Sequence, residues 1–110
     1  MQIKAMQTFH ALADPTRARI VEMLAASGRL SAGEICRQFT ASPPAVSQHL
    51  KVLKMARLVN VEARAQTRIY SINRDGFREA QDWLKSVTEL WAERFEKLDD
   101  LLKSQQAKKK

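Results

Sequence analysis

The chain has 110 residues and a mass of 12.5 kDa, enough for one domain with a modest core and too short for two. Its 45% hydrophobic and 28% charged residues exclude wholesale disorder, and apolar runs of only a few residues exclude a transmembrane helix. The net charge of +7 is localised: +2 over residues 1–39, +5 over 40–78, −4 over 79–102 and +4 over 103–110, and a polyanionic partner requires such a local footprint.

The N-terminus enters an amphipathic pattern directly, without a signal-type apolar core, which predicts a cytoplasmic protein. Ile3, Met6, Phe9 or His10, and Ala13 recur at helical spacing and predict a first helix over Ile3–Leu12. Asp14-Pro15-Thr16-Arg17 opens a second, with aspartate as N-cap and proline at the first helical position. Ile20, Val21, Met23 and Leu24 are its inward face, and it ends before Gly28.

Two short helices joined by a tight turn follow. Ser31 and Glu34 have capping-box spacing, and Ile35 and Phe39 share a face. Ser42 followed by Pro43 is a further start signal. Val46, Leu50 and Leu53 then form an inward stripe at i, i+4 and i+7. The other face carries Pro44, Gln48 and Lys51, flanked by Ser47, His49 and Lys54. Amides, hydroxyls and cations without a carboxylate suit a helix in a DNA major groove, where lysine holds phosphate and glutamine reaches an adenine edge. The competing reading is a solvated helix in an ordinary bundle.

The period changes after that helix. Val59, Val61 and Ala63 alternate with Asn60, Glu62 and Arg64, and after Ala65-Gln66-Thr67 alternation resumes through Arg68, Tyr70 and Ile72, which predicts a β-hairpin. Arg64 and Arg68 flank its tip, either to meet phosphate or a minor groove or merely to keep an edge soluble.

Asp75 opens a long final helix over 75–103, roughly 43 Å at 1.5 Å per residue. Its stripe contains Ala80, Leu84, Val87, Trp91, Phe95, Leu98 and Leu102, widened by Trp83, Leu90 and Leu101. A domain of this size has a radius of gyration of about 13 Å, too small to cover the far end of that helix. A homodimer is therefore expected, with Trp83, Leu84, Val87, Trp91, Phe95 and Leu98 at its interface beside Ile3, Met6 and Phe9 of the first helix. The expected fold class is mainly α with a small β-hairpin between the fourth and fifth helices, with 1–103 as one domain and 104–110 as a disordered basic tail.

This order resembles the ArsR family of bacterial winged helix-turn-helix transcriptional repressors. The carriers are Asp14-Pro-Thr-Arg17, Ser47-Gln-His-Leu50-Lys-Val-Leu53, a hairpin ending in Arg68-Ile-Tyr70, and the long last helix. The resemblance covers about residues 3–103. It implies a homodimer joined through first and last helices on a pseudo-palindromic operator, with 43–54 as recognition helix and 60–73 as wing. On it, the DNA-binding set is Ser42, Pro44, Ala45, Ser47, Gln48, His49, Lys51, Lys54, Arg64 and Arg68.

Family metal sites do not carry over. The segment that holds Cys-x-Cys in thiolate sensors reads Glu34-Ile35-Cys36-Arg37-Gln38, with one cysteine missing, and soft-metal sites use several thiolates. The zinc pattern on the last helix finds Asp75 but no histidine after it. No metal or other cofactor is expected, and the tryptophans Trp83 and Trp91 suit the metal-free branch. Two departures stand out: Arg57 occupies the position of a usual glycine after the recognition helix, and the wing tip has no glycine.

The leading reading is a dimeric DNA-binding repressor. Alternatives are a redox switch on Cys36, which lacks a resolving thiol in its own chain, and a protein-interaction module on the last helix. An enzyme is not expected, since no nucleophile is paired with a base and three glycines form no phosphate loop.

Overall fold

The structure, a computed structural model, describes residues 3–108. Two compact units divide the chain, one up to Ala80 and one from Gln81 on. The first contains helices α1 (Ile3–Leu12), α2 (Pro15–Ser27), α3 (Ala32–Cys36) and α4 (Pro43–Met55), with strands β1 (Arg29–Ser31), β2 (Val59–Arg64) and β3 (Thr67–Ile72). A 3₁₀ turn, Arg74–Phe77, leads into α5 (Arg78–Lys108), most of which forms the second unit.

The helix starts are fixed by short polar side chains. Asp14 accepts the Arg17 backbone N–H at 3.1 Å, and Ser42 Oγ accepts that of Ala45 at 3.3 Å. Ser31 and Glu34 form the reciprocal capping box, at 3.1 and 3.0 Å, so two N–H groups that the helix cannot pair internally are satisfied. Gly28, with φ of 84°, ends α2 and donates to the Leu24 carbonyl at 2.8 Å.

The C-terminus of α4 closes by a Schellman motif. Arg57 donates to the Lys54 carbonyl at 2.9 Å and Leu58 to the Leu53 carbonyl at 3.0 Å, the paired bonds that close a helix through a left-handed residue. Arg57 takes that conformation with φ of 62°, so the position where glycine is usual keeps glycine's geometry. The constraint passes to Gly76: a Cβ there would lie 1.6 Å from the Arg57 carbonyl oxygen. Only a residue without a side chain lets the 3₁₀ turn pass so close.

Apolar side chains from both helices and sheet make one core. Ile20 and Leu24 of α2, Ile35 of α3, Val46, Leu50 and Leu53 of α4, and Leu58, Val59 and Tyr70 are all buried. Each large aliphatic among them contributes about 1.5–3 kcal/mol by leaving water. The expected inward stripe of α4 is therefore the face that packs.

The sheet has three strands rather than the two expected from alternation. Its order is β1-β3-β2, antiparallel throughout, with Tyr70 opposite both Leu30 and Val61. Three residues are too few to display a period of two, which hid β1 in the sequence. The connection between β2 and β3 is only Ala65-Gln66, because Thr67 already pairs with Arg64. Ala65 supplies the left-handed residue of the turn, with φ of 54°.

Two boundaries of the last helix also differ from expectation. It begins at Arg78, since the turn around Gly76 takes up 74–77, and it runs to Lys108 rather than 103. Ser104-Gln-Gln-Ala107 holds no helix breaker, so backbone expected in a tail continues the helix. Taken by itself, the second unit is an amphipathic helix with an exposed apolar stripe. Leu90, Trp91, Phe95, Leu98, Leu101 and Leu102 are each at least half exposed. Trp91 and Phe95 lie one turn apart with ring centroids 6.4 Å apart.

Candidate nucleic-acid interface

Burying Val46, Leu50 and Leu53 leaves one face of α4 turned outward. Ser42, Pro44, Ala45, Ser47, Gln48, Lys51 and Lys54 are all exposed, so every expected contact on this helix except His49 stands in solvent. The helix contains no acidic residue. Among the described residues, Lys51, Lys54, Arg57 and Arg68 carry no ion pair with a carboxylate. Unpaired cations around an acid-free amide and hydroxyl face are what a duplex recruits: ammonium for phosphate, Gln48 and Ser47 for base edges.

The wing is less free. Arg64 Nε bonds Glu62 at 3.2 Å, and the same carboxylate takes Arg29 Nη2 at 2.6 Å. Arg29 belongs to β1, so Glu62 ties two strands together while holding a cation expected to reach DNA. Arg68, opposite Ala63 in the register, is exposed.

His49 is built differently from its neighbours on α4. It is half-buried, and its Nδ1 lies 3.3 Å from Arg17 Nη1 and 3.7 Å from Asp14 Oδ2. A guanidinium has only donors, so Nδ1 accepts and the ring proton sits on Nε2. Arg17 Nε also donates to the Ala11 carbonyl at 2.6 Å, and Nη2 reaches the His10 carbonyl at 3.5 Å. The Asp14 carboxyl is held below its ordinary range, chiefly by the Arg17 backbone N–H, against an opposing effect of burial, with smaller lowering contributions from the Arg17 guanidinium and the Thr16 backbone N–H. Sequence reading missed this cluster. The signal was Arg17 within Asp14-Pro-Thr-Arg17, but nothing in the spacing says that its side chain reaches a residue 32 positions on.

Of the positions expected at a dimer interface, Leu84, Val87, Trp91, Phe95 and Leu98 are exposed, and Met6, Phe9 and Trp83 are half-buried. The Ile3 side chain lies outside the described residues. Cys36 is a free, half-buried thiol. Among the described residues no group of three His, Cys, Asp or Glu side chains is placed to hold a metal ion, and no helix is long and apolar enough to cross a membrane.

A helix-turn-helix backed by a three-stranded wing, with a cationic outward face, defines a winged-helix transcription regulator. Comparison with known proteins agrees. The family model described as "Bacterial regulatory protein, arsR family" matches residues 14–61. The HTH-type transcriptional regulator Rv2034 of Mycobacterium tuberculosis is 50% identical over 70 residues, 64% of this chain and 64% of that protein. The chain thus spans just under two thirds of that relative. The transcriptional repressor SdpR of Bacillus subtilis is 34% identical over 76 residues, 69% of this chain and 83% of that one. In the crystal structure of the ArsR family transcriptional regulator RHA00566, 91% of that chain superposes on 81% of this one, with a TM-score of 0.74 and 25% identity. The chain belongs to the ArsR family, and its relatives are named as regulators of transcription, not as enzymes.

Proposed function

We propose that the protein is a homodimeric, sequence-specific transcriptional repressor of the cytoplasm that needs no metal to bind its operator. The observation that carries this reading is the exposed, acid-free face of α4. Ser47 and Gln48 meet base edges in the major groove, while Ser42, Pro44 and Ala45 bring the helix N-terminus to the backbone. Lys51 and Lys54 neutralise phosphates, and Arg68, with Arg64 once Glu62 releases it, extends the contact along the wing. The likeness to SdpR supports repression rather than activation.

Dimerisation is supported by the apolar stripe of α5. Side chains such as Trp91 and Phe95, 65% and 61% exposed, form a patch of the kind that marks an interaction surface. A second copy satisfies both stripes symmetrically, and two α4 helices then meet two half-sites of one duplex.

The test is a gel shift against genomic fragments enriched by the protein itself, run at several salt concentrations, beside sedimentation of the pure protein. A dimer that selects a pseudo-palindrome and binds it less tightly as salt rises is expected. A monomer that pairs only with another protein, or a chain indifferent to DNA sequence and salt, would overturn the reading.

A further inference from the structure

One guanidinium joins three helices in this fold. Arg17, from the first turn of α2, donates through Nε to the Ala11 carbonyl and through Nη2 to the His10 carbonyl, both at the end of α1. Through Nη1 it meets His49 Nδ1, in the middle of α4. The last carbonyls of a helix have no partner within it; that of His10 takes the Ala13 N–H at 3.2 Å, and Arg17 satisfies that of Ala11 from outside while using its remaining arm on α4. Asp14 completes the arrangement by accepting the Arg17 backbone N–H while its carboxylate stands 3.7 Å from the same imidazole nitrogen.

We propose that Arg17 is a positioning residue that sets the angle and register of α4 relative to α1, with His49 as its receiver and no contact of its own to DNA. The proposal rests on the functional reading above, in which two copies of α4 meet one duplex. On that basis the link, by holding α4 against α1 within its own unit, fixes the angle at which each α4 helix is presented to its half-site. Spacing between half-sites is a geometric property of the dimer, so the link acts on spacing rather than on the reading of one half-site. The planar fork of arginine holds three acceptors in fixed directions, which an ammonium on a flexible stem does not. The imidazole is needed for an acceptor at Nδ1, a place that the amide oxygen of asparagine also reaches.

The experiment measures binding of wild type, Arg17→Lys, His49→Ala and His49→Asn to the selected operator, to the same duplex with one base pair inserted between half-sites, and to a single half-site. Wild type is expected to favour the native spacing. Arg17→Lys and His49→Ala each lose about 10-fold on the native operator, the scale of one charge-assisted hydrogen bond, and the native-to-inserted ratio falls toward one. The single half-site affinity of Arg17→Lys stays within about 2-fold of wild type, and His49→Asn restores most of the ratio that His49→Ala loses. Far-UV circular dichroism checks that each variant is folded, and if Arg17→Lys is not, the two His49 variants decide. Spacing preference kept in folded His49→Ala, or single half-site binding of Arg17→Lys lost in step with the operator, overturns the positioning role. Failure of wild type to select DNA sinks the functional reading instead.

Discussion

Arg57 and Gly76 form a pair in which one residue keeps a strained backbone and the other makes room for it. A non-glycine residue in the left-handed region costs roughly 1–2 kcal/mol, and glycine gives back about 0.5–1 kcal/mol through its freer unfolded chain. Arg57→Gly is therefore expected to stabilise the fold by about 0.5–1 kcal/mol, a rise of roughly 4 °C in thermal midpoint for a domain of this size. Gly76→Ala drives a methyl group into the Arg57 carbonyl and is expected to lower the midpoint sharply, with scanning calorimetry reading both variants. Acid sensitivity belongs to this scale too. Asp14 is held below its ordinary 3.8, first by the Arg17 N–H, and Glu34 below 4.5, first by the Ser31 N–H. A carboxylate whose folded pKa is depressed contributes fully above its unfolded value and loses that contribution as pH falls through the folded one. A double variant Asp14→Asn, Glu34→Gln should be less stable than wild type at neutral pH. Its thermal midpoint should also fall less steeply below about pH 4, as melts across that range would show.

At the level of elements, the proposed function divides the work of binding between α4 and the wing. If Lys51 neutralises a phosphate as proposed, Lys51→Ala should lower affinity for every sequence and shrink the salt slope by about one. Gln48→Ala should weaken the chosen operator alone. Glu62→Gln frees Arg64 and loosens its link to Arg29, and is expected to tighten binding while steepening the salt slope, as titrations at several ionic strengths would record. Much of this was legible before any coordinates. Asp14, Ser31 and Ser42 announce helix starts because a cap needs only the residues next to it, and the stripe Val46, Leu50, Leu53 shows which side of α4 packs. What stayed hidden depends on distant partners. β1 exists because β3 offers it an edge, Arg64 is restrained by a carboxylate shared with Arg29, and His49 turns inward because Arg17 waits there. Spacing along the chain encodes none of these pairings.

For the whole molecule, the exposed apolar stripe of α5 dominates. Trp91→Glu combined with Leu98→Glu places two carboxylates where a second copy would pack, and sedimentation should change from dimer to monomer. The buried core cluster is built from residues between Ala11 and Tyr70, so the helical signal and melting of the first unit should persist in the variant. Operator affinity should then collapse further than any single α4 substitution achieves, because the second half-site would have to be found by a separate molecule rather than at high effective concentration.

Ser31 serves two elements at once. It is the final residue of β1, across from Ile69, and also the N-cap of α3. No slack lies between the ribbon and the first helix of the reading head, so a tug on one is delivered undamped to the other. Amide protons of β3 and of the opening turn of α3 should therefore exchange with deuterium as a single cooperative block, and the substitution Ser31→Ala should uncouple the two rates.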